Sequence, residues 1–78
     1  METPITSLRA GASAMVVRLL GQGYTFQRRL RTMGIREGKS VRILAIHPMA
    51  GPLVLEVDGR EITVGRGIAQ RIMVQEKL

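Results

Sequence analysis

The side chains able to do chemistry are few in this 78-residue sequence: one histidine, six acids, no cysteine, and twelve lysines and arginines. Without cysteine there are no disulfides, thiolate metal sites or cysteine nucleophiles. The run Gly38-Lys39-Ser40 matches the end of a phosphate-binding loop, but that motif needs a glycine where Met33 stands. It must also open a helix whose first amides hold phosphate, whereas Val41 onward alternates like a strand. His47 is a weak candidate metal ligand. Transition-metal sites gather several imidazoles, thiolates or carboxylates, and His47 has no partner near it in sequence. Glu56, Asp58 and Glu61 lie on or beside a turn, so the preferred reading is a loop histidine. The other reading is an ion bridging two molecules through His47 and a neighbour's carboxylate. General acid–base and nucleophilic catalysis need groups poised in pairs, and no such spacing occurs. Neither an enzyme, nor a cofactor, nor a tight metal site in the monomer is expected.

The concentrated signal is cationic. A formal charge of +6 attracts acidic partners, whether nucleic acid, anionic lipid or an acidic protein surface. Arg28, Arg29, Arg31, Arg36, Lys39 and Arg42 stand close together, opposed only by Glu37. Within 25–33, Phe26, Leu30 and Met33 recur at helical spacing. With that face inward, Arg28, Arg29 and Arg31 lie on or near the outer side. The segment contains no acid, whereas a merely solvated helix tends to mix signs in i,i+4 pairs. Arg28, Arg29, Arg31 and Arg36 are therefore the candidate partner-binding residues, with a plain solvated face as the alternative.

Short strands must carry this helix. The β-rich stretch 14–20 ends at Gly21-Gln22-Gly23. A second, 40–46, offers Val41, Ile43 and Ala45 to one side. Pro48 and Pro52 make 47–52 a loop. Strands over 53–57 and 60–64 flank Asp58-Gly59, which suits a two-residue type I′ turn. A final strand covers 72–74. Thr25 can cap the helix N-terminus, Gly34 can take the left-handed position past its end, and Ile35 can pack back on Leu30. Gly38 marks a further turn. Tyr24 and Phe26 are the only aromatics, so the core is built from Val, Ile, Leu, Ala and Met. A chain this short forms one domain, 1–78. The N-terminus has no basic and apolar leader pattern, and no stretch is long and unbroken enough to span a bilayer; a soluble, cytoplasmic protein is expected.

The glycines, turns and apolar positions also form a recognisable string. Leu8-Arg9-Ala10-Gly11 leads into the first strand, and Leu30 to Gly38 carries L-x-x-M-G-I-x-x-G. Gly51-Pro52-Leu53-Val54 opens a later strand, and Ala69 to Val74 reads A-x-x-I-x-V. Together these resemble the ferrous-iron transport protein A (FeoA) family over nearly the whole chain. The resemblance implies a mainly β, SH3-like barrel of about five short strands, with the 25–33 helix across one opening and helical turns near 5–8 and 66–70. It implies a non-enzymatic accessory of ferrous-iron uptake that binds the cytoplasmic portion of FeoB, a membrane transporter with its own GTP-binding domain, and modulates it. The family's domain is also similar to the C-terminal module of iron-dependent repressors. No helix-turn-helix precedes it in this chain, so repression is not expected. Gly65-Arg66-Gly67 departs from the family's more helix-friendly run, and two glycines at ~1 kcal/mol each imply a looser turn there; Ile68 stands where a polar residue is more usual. No membrane insertion is expected, and the chain is read as a monomer or weak dimer. The alternative function is a small basic barrel that binds nucleic acid through phosphate contacts. Only Tyr24 and Phe26 could stack bases, and Phe26 belongs to the core face.

Overall fold

The computed structural model describes residues 1–21 and 23–78. Along the chain come β1 (Glu2–Pro4), a 3-10 turn (Ile5–Ser7), β2 (Ser13–Leu19), α1 (Tyr24–Thr32), β3 (Ser40–Ile46), β4 (Leu53–Val57), β5 (Arg60–Val64), α2 (Arg66–Ala69) and β6 (Ile72–Lys77). The strands form one antiparallel sheet in the order β1-β6-β2-β3-β4-β5. The architecture is mainly β, with the helical turns where they were expected. Among the described residues there are six strands rather than about five, because the short β1 joins the edge beside β6. Pro4 is tolerated there, since an edge position needs no N–H for the ladder.

Alternation buries one face of each strand, and the buried side chains of β2 to β6 merge with Ile5, Leu30, Ile35 and Ala69 into one core. In β4, Leu53, Leu55 and Val57 point inward with Val54 and Glu56 between them. Irregularities bend the sheet around this core, in β2 between Val16 and Arg18 and in β3 between Ile43 and Ala45. The β3 irregularity corrects the sequence reading. Val41 and Ile43 are buried as expected, but past the bulge Ile46, not Ala45, packs on the core.

Helix α1 starts and ends one residue earlier than the pattern suggested. Thr25 lies inside the first turn and does not cap it; Gly23 holds the N-cap position with φ 95°, and among the described residues no side chain caps the helix. The C-terminal end is as expected. Gly34 has φ 85°, its N–H donates to the Arg31 carbonyl at 2.9 Å, and the Ile35 N–H donates to that of Leu30 at 2.9 Å. This is a full Schellman ending, with Leu30 and Ile35 both completely buried.

Two type I′ turns close hairpins. Asp58 (φ 53°) and Gly59 (φ 77°) join β4 to β5, as read from sequence. The β3–β4 loop holds a second, where the Gly51 N–H donates to the Pro48 carbonyl at 3.1 Å. Its central residues are Met49 (φ 58°) and Ala50 (φ 59°), neither of them glycine. Left-handed backbone costs an L-residue about 1–2 kcal/mol, so something must hold this loop. Arg66 supplies part of that hold. Its Nε donates to the Gly51 carbonyl and its Nη2 to the His47 carbonyl, each at 2.9 Å. The same bonds anchor α2, which forms its single turn despite Gly65 and Gly67.

Candidate partner-docking surface

Leu30 fixes the roll of α1 by entering the core, while Phe26 and Met33 are half-buried against it. Arg28, Arg29 and Arg31 are consequently exposed, as is Arg36 beyond the helix end. Among the described residues the ion pairs are Arg9–Glu76, Arg18–Glu2 and Lys39–Asp58. None involves the four candidate arginines. Three guanidinium groups thus project from one short helix with no carboxylate paired to them among the described residues.

The acids collect elsewhere. Glu56 and Glu61 face each other across β4 and β5, Asp58 is in their turn, and Glu37 precedes β3. Glu76 pairs in register with Ala14, and Glu2 with Gln75. Asp58 is held below the ordinary aspartate range, chiefly by the hydrogen bond from Lys39 Nζ; partial desolvation opposes this, and the charges of Lys39, Arg60 and Arg36 add to the lowering. Arg36 shares a surface depression with Lys39 and Asp58. The structure therefore separates Arg36 from the helix cluster and places it beside acids.

It also adds members that sequence reading missed. An open groove of about 340 Å³ is lined by Thr25, Arg28, Arg29, Thr32 and Met33. A second, of about 440 Å³, lies between α1 and α2 and is lined by Thr25, Phe26, Arg29, Gly67, Ile68 and Arg71. The Arg71 guanidinium sits 5.5 Å above the Phe26 ring, a cation–π contact. Arg71 and Ile68 are remote from α1 in sequence, and only the path of β6 and α2 brings them to it. Arg31 is on the same helix but lines neither groove.

His47 is exposed at the start of the β3–β4 loop, where its N–H donates to the Pro52 carbonyl at 3.0 Å. Among the described residues no three of His, Asp or Glu gather as a metal-holding group. No helix of the described residues is long and apolar enough to cross a membrane.

The family model of the FeoA domain matches residues 3–76. The chain belongs to the FeoA domain family. This family is an iron-transport accessory domain and not a known family of enzymes. A Methanocaldococcus jannaschii protein described as an Fe(2+) transport protein A is 32% identical over 62 residues, 80% of this chain and 73% of the relative. A crystal structure of the iron uptake regulatory protein FeoA superposes with a TM-score of 0.86 at 30% identity, covering 99% of both chains. The SH3-like fold expected from the FeoA resemblance is thus present. T. acidophilum IdeR matches with a TM-score of 0.86 at 28% identity; the similarity covers 97% of this FeoA domain and 34% of that chain.

Proposed function

We propose that this FeoA-domain protein is a non-enzymatic, cytoplasmic accessory of ferrous-iron uptake that docks on the cytoplasmic portion of an FeoB-type transporter and modulates it. The observation that carries this reading is the acid-free α1, whose Arg28, Arg29 and Arg31 are exposed and unpaired with any acid among the described residues. Arginine suits docking because its planar guanidinium holds a carboxylate in bidentate fashion. Nucleic acid is a poorer fit, since Arg71 covers one face of the Phe26 ring and leaves Tyr24 as the one exposed aromatic for stacking.

The test is Arg28→Glu combined with Arg29→Glu, in pull-downs against the transporter's soluble cytoplasmic domain with and without guanine nucleotide, and in cellular iron uptake. Folding should be unchanged, because exposed substitutions shift stability by no more than ~0.5 kcal/mol. Binding and uptake should both fall, since reversing charge slows association and weakens the complex. Leu30→Glu is the control for loss of fold. A folded double variant with wild-type binding and uptake would show α1 to be a solvated face.

A further inference from the structure

The two grooves beside α1 share a wall. Thr25 and Arg29 line both, so they form a ridge between them. The apolar surface below is supplied by Met33 on one side and by Phe26 and Ile68 on the other, all packed on the core yet left partly open. The cationic rim is Arg28, Arg29 and Arg71, and among the described residues no acid lines either groove. Arg71 is already positioned by the Phe26 ring, so little of its side-chain freedom remains to be lost on binding.

Building on the transporter-docking reading, we infer that the paired grooves receive an acidic amphipathic segment of the protein partner, which crosses α1 at Arg29. Aliphatic side chains of that segment enter the grooves on either side of the ridge, and its carboxylates meet Arg28, Arg29 and Arg71. Charge complementarity selects this occupant. A basic segment would be repelled by the rim, and a wholly apolar one would strip water from three guanidinium groups without pairing them. The half-open floor distinguishes the site from a surface that recognises charge alone.

Gly67 allows the grooves to be tested apart from the arginines. It lies in the wall of the α1–α2 groove, its φ is outside the left-handed region, and a Cβ built there meets no atom within 4 Å. Gly67→Gln therefore adds a bulky neutral side chain at the groove wall and leaves every rim charge in place. It also removes a helix-disfavouring glycine from α2. Binding of the transporter's soluble cytoplasmic domain should weaken at least ~10-fold, the scale at which a few hot-spot contacts matter, with the melting temperature unchanged or raised. Gly67→Ala, which adds only a methyl group, should bind close to wild type. Arg71→Gln should weaken binding and flatten its salt dependence.

Loss of binding in Gly67→Gln with the fold intact supports the groove. If Gly67→Gln binds like wild type while Arg28→Glu with Arg29→Glu does not, the docking reading stands and the groove inference falls. If no variant alters binding, both fall. Binding to phosphatidylglycerol vesicles that is lost in Gly67→Gln, without loss of binding to the protein domain, would assign the grooves to lipid and overturn the inference.

Discussion

Replacing Gly34 with valine tests the joint between α1 and the barrel. At φ 85° the position lies in backbone space that β-branched residues avoid. Strain of this kind costs about 1–3 kcal/mol. A Cβ would also come 3.3 Å from Arg60 Nη2 and 3.4 Å from Val57 Cγ1. Arg60 can swing away, and the distance to Val57 is ordinary contact, but fully buried Val57 cannot give way to the methyl groups that valine adds beyond Cβ. If the backbone relaxes instead, the Gly34 and Ile35 hydrogen bonds break and the buried Leu30–Ile35 contact loosens. We expect a loss of about 2 kcal/mol, which for a domain of this size lowers the melting temperature by roughly 8–16 °C. Gly38→Ala separates the two contributions, because Gly38 has φ 88° and its Cβ would meet no atom within 4 Å. It should show the backbone cost alone, about 1 kcal/mol. Thermal melts with Gly34→Val as stable as wild type would refute the account of the helix ending.

The remaining predictions concern the turns and metal. Ala50→Gly should raise stability by about 0.5–1 kcal/mol, because relief at φ 59° exceeds the extra freedom glycine gives the unfolded chain; an unchanged or lower melting temperature counts against strain in that turn. The folded-state pKa of Asp58 is depressed, so its contribution is present above the unfolded value of 3.8 and is lost as pH falls through the lower folded value. Asp58→Asn keeps a residue that accepts positive φ; its melting-temperature deficit at neutral pH should shrink below that range, and a constant deficit would exclude the Lys39 pairing as the cause. Anaerobic calorimetry with chelator-cleaned protein should show no tight one-to-one Fe(II) or Zn(II) site, and a submicromolar site lost in His47→Ala would contradict this.

Local patterns were legible in the sequence wherever the deciding forces act within a few residues. The ending at Gly34 and Ile35 and the turn at Asp58-Gly59 are both set by short-range backbone preference, and both were found. Thr25 fails as a cap because the helix begins at Tyr24, with Gly23, which has no side chain, at the N-cap position. The three residues of β1 are too few for alternation and become a strand only by pairing with β6. A strict two-residue period places Ala45 on the inner face, because it cannot anticipate a bulge. For the proposed docking surface, the exposure of Arg28 and Arg29 follows from helical sidedness. The placement of Arg71 and the α2 wall does not, since they reach α1 only through tertiary structure.

The two bonds from Arg66 have a dynamic consequence. They tie α2 to the β3–β4 loop, and that loop stores backbone strain at Met49 and Ala50. Segments joined in this way open and close as one cooperative unit, with a free energy of opening below that of the whole domain. Hydrogen exchange at the Gly51 amide of the loop and at the Ala69 and Gln70 amides of α2 should then follow one rate of local opening, although these segments are separated by two strands. Because α2 also forms one side of the groove beside α1, the lifetime of that unit sets how long the surface stays assembled.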